Sequence, residues 1–175
     1  EVSALLALCR DAYKRLDTVK VMQLLNGLRN LSGMDMRKLD LSKVDFGSSR
    51  DAKTSLYFAQ LDGANLTKAV LSNCNLKFST LNDAVATFAD FSSSEMHEAQ
   101  LKNATLDEAV FTSAVAPDSD FTSATLQKAK LGNATLERAV FTSANAAGAM
   151  LPKAKLTGAK LNDATLTGAT FSSAQ

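Results

Sequence analysis

The sequence predicts an all-β solenoid with an N-terminal α-helical cap, because three columns of residues share a period of five. From Leu56 to Phe171 every fifth residue forms one column of 24 positions: fifteen Leu, five Phe, Met96 and three Ala. Two residues before each stands a second column of nineteen Ala and three Ser, with Thr54 and Cys74. Two residues after each stands a third, rich in residues such as Gly63, Asn73, Asp83, Asn103, Asn133, Gly148 and Gly158. No insertion breaks the register over this stretch.

A period of five suits neither ordinary element. In an α-helix, five steps of about 100° rotate each Leu about 140° from the last and spread the column over every side. In a flat strand, five steps reverse the face each time, so half the Leu column would meet water. Every fifth residue stays inside only if the chain turns a corner within each repeat and winds as a coil of short extended sides. The third column supplies the corners. Gly, Asn, Asp and Ser tolerate the positive φ that the third residue of a type II turn requires. The only two prolines, Pro117 and Pro152, fall one position earlier, where proline presets φ for the same turn.

With the columns placed, the segments Ala64-Asn65-Leu66, Ala89-Asp90-Phe91, Ala134-Thr135-Leu136 and Ala164-Thr165-Leu166 resemble the pentapeptide-repeat family, whose consensus is Ala-(Asp/Asn)-Leu-X-X. The resemblance covers 54–175, and more loosely 34–46. It departs where Thr, Val or Lys stands for Asp/Asn, a difference assigned to the outer surface. It implies a right-handed quadrilateral β-helix with four repeats per coil. On that geometry 24 repeats give six coils, about 29 Å long at ~4.8 Å per coil.

The predicted core ladder is Leu61, Leu66, Leu71, Leu76, Leu81, Phe91, Met96, Leu101, Leu106, Phe111, Phe121, Leu126, Leu131, Leu136, Phe141, Leu151, Leu156, Leu161, Leu166 and Phe171. Each such side chain contributes about 1.5–3 kcal/mol when buried, enough in sum to oppose chain entropy without a metal or disulfide. Ala86, Ala116 and Ala146 leave gaps in the ladder, and each is paired in sequence with a phenylalanine: Phe91, Phe111 and Phe141.

The ends read differently. Over residues 1–30, Val2, Leu5, Leu6, Cys9, Ala12, Tyr13, Leu16, Val19, Met22, Leu25 and Leu28 recur at helical steps, predicting an amphipathic cap with dimerisation or docking as the alternative role. Residues 31–175 form the β-helix, with 31–53 an irregular first coil and 54–175 regular coils. In that first coil the large column is already present, but the small column holds Met34, Leu39 and Val44. The register would point Asp51 inward, so Ser48–Lys53 is expected to leave the stack as a loop. The chain stops at Gln175 with no cap in sequence, which makes the last coil the expected route to a homodimer.

Catalysis is not predicted. His97 is the single histidine, Cys9 and Cys74 lie far apart without metal-ligand spacing, and no phosphate loop or zinc motif is present. Carboxylate neighbours such as Asp118 and Asp120 sit on a convex surface that offers no predicted pocket to shift their pKa values. No cofactor and no metal are expected. A net charge of +1 provides no field to steer nucleic acid, and no stretch approaches a membrane span. Outward aromatics Tyr57, Phe58 and Phe78, the two phenylalanines 20 residues apart, are the candidate partner-binding residues, with cover of Phe58 and Phe78 by the chain's own N-terminal helix as the alternative.

These features predict a non-enzymatic interaction or scaffold module with a protein partner, in line with family members that serve as targeting modules of bacterial effectors. The alternative implied by the resemblance is a DNA-mimicking, gyrase-binding protein of the quinolone-resistance kind. That mechanism needs a strongly acidic face. Residues 51–175 carry twelve Asp/Glu against ten Lys/Arg, interspersed. The expected location is cytoplasmic, with a secreted effector or an organelle lumen as the alternatives for a processed fragment.

Overall fold

The computed structural model describes residues 29–47 and 53–175. The helical cap over 1–30 and most of the loop at Ser48–Lys53 therefore lie outside the described residues. From Ser55 onward each bridging residue pairs in parallel with the residue 20 positions later, as in Ser55 with Asn75 and Gln60 with Thr80. Twenty residues per circuit and five per repeat give four sides. The columns run seven deep, for example Asn30, Ser55, Asn75, Glu95, Val115, Thr135 and Lys155, so the described chain stacks seven coils.

We number the coils from the residue that opens each: coil 1 from 30, coil 2 at 55–74, coil 3 at 75–94, coil 4 at 95–114, coil 5 at 115–134, coil 6 at 135–154 and coil 7 from 155. Face 1 carries Ser55 and its equivalents, face 2 Gln60, face 3 Asn65 and face 4 Val70. The corner after each face takes that face's number. Coil 1 is the exception in length. Asn30, Asp35, Asp40 and Asp45 pair with residues 25 positions on, so five extra residues are accommodated before coil 2 begins. Thr54 is buried, and its hydroxyl donates to the Phe46 carbonyl, pinning the place where the chain returns to the place where it left. Gly47 is required there, since a Cβ would come within 2.6 Å of the Ser72 carbonyl oxygen.

In a fully stacked repeat four of the five amides find backbone carbonyls. In coil 4, Leu101 donates to Asp120, Asn103 to Thr122, Ala104 back to Leu101 across the corner, and Thr105 to Ala84 below. The fifth amide, on the first corner residue, has no backbone acceptor. Side chains serve it in some repeats. Where the face residue is Asp or Asn, its Oδ1 accepts from the amide two residues on, as Asp90 does from Ser92 and Asp120 from Thr122, both at 2.9 Å. In others the carboxylate or amide of the corner one coil earlier reaches up, as Asp62 does to Asn82 and Asp107 to Gln127. The consensus Asp/Asn is thus a local turn cap as well as surface chemistry. Pro117 and Pro152 occupy this same corner position, where a missing N–H breaks no ladder bond.

The second corner residue has positive φ at every repeat from Phe58 to Ser173, and this holds for Lys, Glu, Arg and Phe as well as for Gly, Asn, Asp and Ser. The coil imposes that conformation. A bulky residue bears it at a cost of about 1–2 kcal/mol, and Gly148 at φ 69° bears it freely.

The interior is a continuous apolar stack from Leu31 to Ala154. Phe91 and Phe111 stack at 4.8 Å, Phe121 and Phe141 likewise, and Phe111 meets Phe121 edge-on at 6.0 Å. Ala86 shares coil 3 with Phe91 and Ala146 shares coil 6 with Phe141, where both of the latter line a small apolar cavity toward coil 7. Ala116 differs from the sequence pairing: it shares coil 5 with Phe121, one layer from Phe111, and lies between the two on the chain where their rings meet. Buried Ser79, Ser94 and Ser119 in the small column each donate to a carbonyl three residues back at 2.7 Å, so no hydroxyl among them is stranded. Four members of the predicted ladder need correction. Leu156, Leu161 and Leu166 are only half-buried and Phe171 is exposed, because coil 7 is covered by described coils on one side only.

Candidate functional site

The solenoid turns sequence spacing into surface columns. Corner 1 reads, coil by coil, Ser32-Gly33, Tyr57-Phe58, Lys77-Phe78, His97-Glu98, Pro117-Asp118, Glu137-Arg138 and Thr157-Gly158. Spacing of 20 brings the three candidate aromatics together in coils 2 and 3. The Phe58 and Phe78 rings stack at 5.1 Å and 18°, and Tyr57 stands edge-on to both, at 4.6 and 5.6 Å. Phe58 is 53% exposed, Tyr57 is exposed and Phe78 half-buried. Both phenylalanines have positive φ, so large rings stand where the fold prefers glycine or asparagine.

The opposite edge, corner 3, carries exposed Phe88, with the Lys68 ammonium 5.7 Å from its ring centroid and exposed Val85 just before it on face 3. Exposed Met150 lies on face 4. Sequence inspection placed Val85 outward but singled out neither it nor Met150 as an exposed apolar residue. Their position, one before the large column, is the signal that could have found them.

Three carboxylates of corner 1 and its flanking faces, Glu95, Asp118 and Asp120, are engaged by cations. Glu95 accepts from both Lys53 and Lys77, the latter at 2.6 Å, and these hydrogen bonds hold its carboxyl down at about 2. Asp118 takes a two-pronged contact from Arg138 at 2.7 and 2.6 Å, which lowers its pKa. Burial pulls Asp120 upward, but the Thr122 hydroxyl and amide and Lys102, at 3.2 Å, outweigh it and hold Asp120 below the usual carboxylate range. An open hollow of about 530 Å³ on face 2 is lined by Glu98, Ala99, Gln100, Lys102, Asp118 and Asp120. Two of its three carboxylates are thus held ionised by cations, so neither can serve as a proton donor near neutral pH.

His97 is half-buried, and its Nδ1 is enclosed without a hydrogen-bond partner. The Thr125 hydroxyl on face 3 is likewise enclosed and unpartnered. Cys74 is a free thiol inside the stack, and burial pushes it up to about 12, so it is no nucleophile. Among the described residues, no group of three or more His, Cys, Asp and Glu could hold a metal, and no helix is long and apolar enough to cross a membrane.

A family model described as pentapeptide repeats matches in eight copies, over 54–97, 69–107, 94–124, 119–158 and 153–175. Among solved structures, the chain is similar to a pentapeptide repeat protein of the Arabidopsis thaliana thylakoid lumen, at 30% identity and a TM-score of 0.48, over 49% of this chain and 60% of that one. It thus spans about three fifths of that protein's length. It is also similar to a trypsin-treated variant of QnrB1, a plasmid-mediated fluoroquinolone resistance protein, at 18% identity and a TM-score of 0.49, over 83% and 77% of the two chains. HetL, involved in heterocyst differentiation regulation in the cyanobacterium Nostoc sp. strain PCC 7120, matches at 20% identity and a TM-score of 0.30, over 89% and 92%. No curated protein matches closely enough in sequence to count as a relative.

Proposed function

The chain belongs to the pentapeptide-repeat family, and on that premise we propose that it works without catalysis, as a rigid rod that holds a protein partner. The observation that carries this reading is the contrast along corner 1. Its aromatic rings stand in solvent on a fixed backbone, while Glu95 and Asp118 are tied to cations. A right-handed coil closed by an N-terminal helix over 1–30, ahead of a β-helix over 31–175, completes the architecture of the proposal. It suits a module of a larger protein such as a bacterial effector. A homodimer through coil 7 belongs to the same proposal.

The ion pairs weigh against the DNA-mimicking alternative. Among the described residues Asp35, Glu95, Asp118 and Asp120 each face Arg or Lys, which neutralises part of the acidic surface that imitation of a phosphate backbone would need. The test is affinity capture with the wild-type chain beside a Tyr57→Ser, Phe58→Ser, Phe78→Ser variant, with partners identified by mass spectrometry. Loss of a specific protein from the variant is expected. Equal recovery by both removes the aromatic corner as the binding site. Protection of gyrase from a quinolone by the purified chain would instead revive the alternative.

A further inference from the structure

Face 4 reads, coil by coil, Asp45, Val70, Asp90, Val110, Lys130, Met150 and Thr170. Apolar and charged residues alternate along it, and the sign of the charge changes across Val110. Asp90 and Lys130 each lie one coil from Val110, so they stand about 10 Å apart at ~4.8 Å per coil. That is too far for an ion pair within the chain. Among the described residues neither has one: the Asp90 carboxylate accepts only from the Ser92 amide, and Lys130 is exposed. On faces 1 and 2, by contrast, Asp35, Glu95 and Asp120 already have Arg or Lys beside them.

A two-fold axis at Val110, lying in the plane of the face and at right angles to the rod, makes this order complementary to itself. A second copy turned about that axis runs antiparallel and lays its own face 4 on the first. Asp90 then meets Lys130 of the second copy, and Lys130 meets its Asp90. Val70 comes level with Met150, Val110 with Val110, and Asp45 with Thr170. Exposed Met150 gains an apolar partner in this way. Each flanking corner meets its own equivalent. Corner 4 is small and uncharged from coil 2 to coil 5, from Ser72-Asn73 to Gly132-Asn133, and Lys153 enters it only in coil 6. Corner 3 carries Lys68, Phe88, Asp107, Glu108 and Lys128 over those coils, with Lys43 beyond them in coil 1. Asp107 and Glu108 come level with their own counterparts, which is the repulsive contact of the pair. Lys68 and Lys128 balance them along the same edge, and Lys128 of each copy comes level with exposed Phe88 of the other.

We propose that face 4 is the surface on which two copies of the chain pair side by side and antiparallel, held by the reciprocal Asp90–Lys130 contacts. The strip is about 34 Å long over the stacked coils and one side of the coil wide, which suits a weak, reversible dimer. The pairing does not rest on the aromatic corner, and its failure leaves that reading untouched.

The test is sedimentation equilibrium of the full chain from about 1 to 500 µM. A monomer at the low end and a dimer at the high end are expected, with the association weakening several-fold between low and high salt. Asp90→Lys and Lys130→Asp, each alone, set like charges opposite one another and should weaken the dimer at least about tenfold. An equimolar mixture of these two variants should restore it, because each chain then carries at both stations the sign that the other lacks. Asp90→Asn keeps the oxygen that caps the Ser92 amide, so it should weaken pairing with no change in melting. Phe171→Ser should leave the dimer unchanged. A monomer at every concentration, a mixture that stays monomeric while both variants melt as the wild type does, or a dimer indifferent to both charge reversals overturns the proposal. A dimer lost in Phe171→Ser belongs to coil 7 and overturns it as well.

Discussion

Replacing Thr142 and Val140 by proline, one at a time, separates the two kinds of amide in the coil. Thr142 is the first residue of corner 2 in coil 6. Its carbonyl accepts from Ser123 at 2.9 Å, but its own amide has no backbone acceptor, and its face residue is Val140, which has no oxygen to cap it. Thr142→Pro therefore removes no ladder bond and lowers the entropy of the unfolded chain, an expected gain of about 0.4–1 kcal/mol. Val140, two residues earlier, donates to the Ser119 carbonyl at 2.9 Å. Val140→Pro deletes that bond and strands an acceptor between coils, an expected loss of about 1–3 kcal/mol before any ring clash. The pair should thus differ by roughly 1.4–4 kcal/mol. With urea slopes of about 1–3 kcal/mol/M, their midpoints by far-ultraviolet circular dichroism should separate by about 0.5 M or more. A Thr142→Pro midpoint falling as far as that of Val140→Pro would refute the division of amides on which this rests.

Leu136 is 1% exposed, so Leu136→Asp should abolish cooperative melting of several coils, while Glu137→Ala, on the corner beside it, should melt within about 0.5 kcal/mol of wild type. Glu95 titrates at about 2, below its value in an unfolded chain, so it adds stability above about pH 4.3 that is lost as pH falls towards 2. Glu95→Gln should flatten that acid limb of a pH–melting profile, by under about 1 kcal/mol because the ion pairs are solvated. With its thiol pushed up to about 12 and buried, Cys74 should resist iodoacetamide at pH 8 until urea unfolds the chain, as peptide mapping of the labelled cysteines would show.

The core was legible because a period of five is a one-dimensional signal: Leu61, Phe91 and Leu136 announce their burial without knowledge of any neighbour. The nearness of Phe58 to Phe78 was legible for the same reason once four repeats per coil were assumed. What escaped needed the third dimension. The sharing of Glu95 between Lys53 and Lys77 depends on contacts up to 42 residues apart, and the place of Ala116 depends on where one circuit ends and the next begins. The conformation of Lys128 or Arg138 escaped as well. Neither side chain favours positive φ, and the tension between coils sets it for them. The role of Asp90 and Asp120 as turn caps was hidden because an outward-facing residue reads as surface until its amide partner is found.

The longer first circuit has a consequence for how such a chain can change length. Every later residue owes its direction, inward or outward, to its place in a count that advances by 20 per circuit, so a single added residue in coil 4 would turn every later side chain out of phase. Between Gly47 and Lys53 the count is suspended, and all four sides of coil 1 still pair with coil 2 across the gap in the count. That stretch is a splice point, where foreign sequence could be grafted onto the rod with no downstream side chain losing its address.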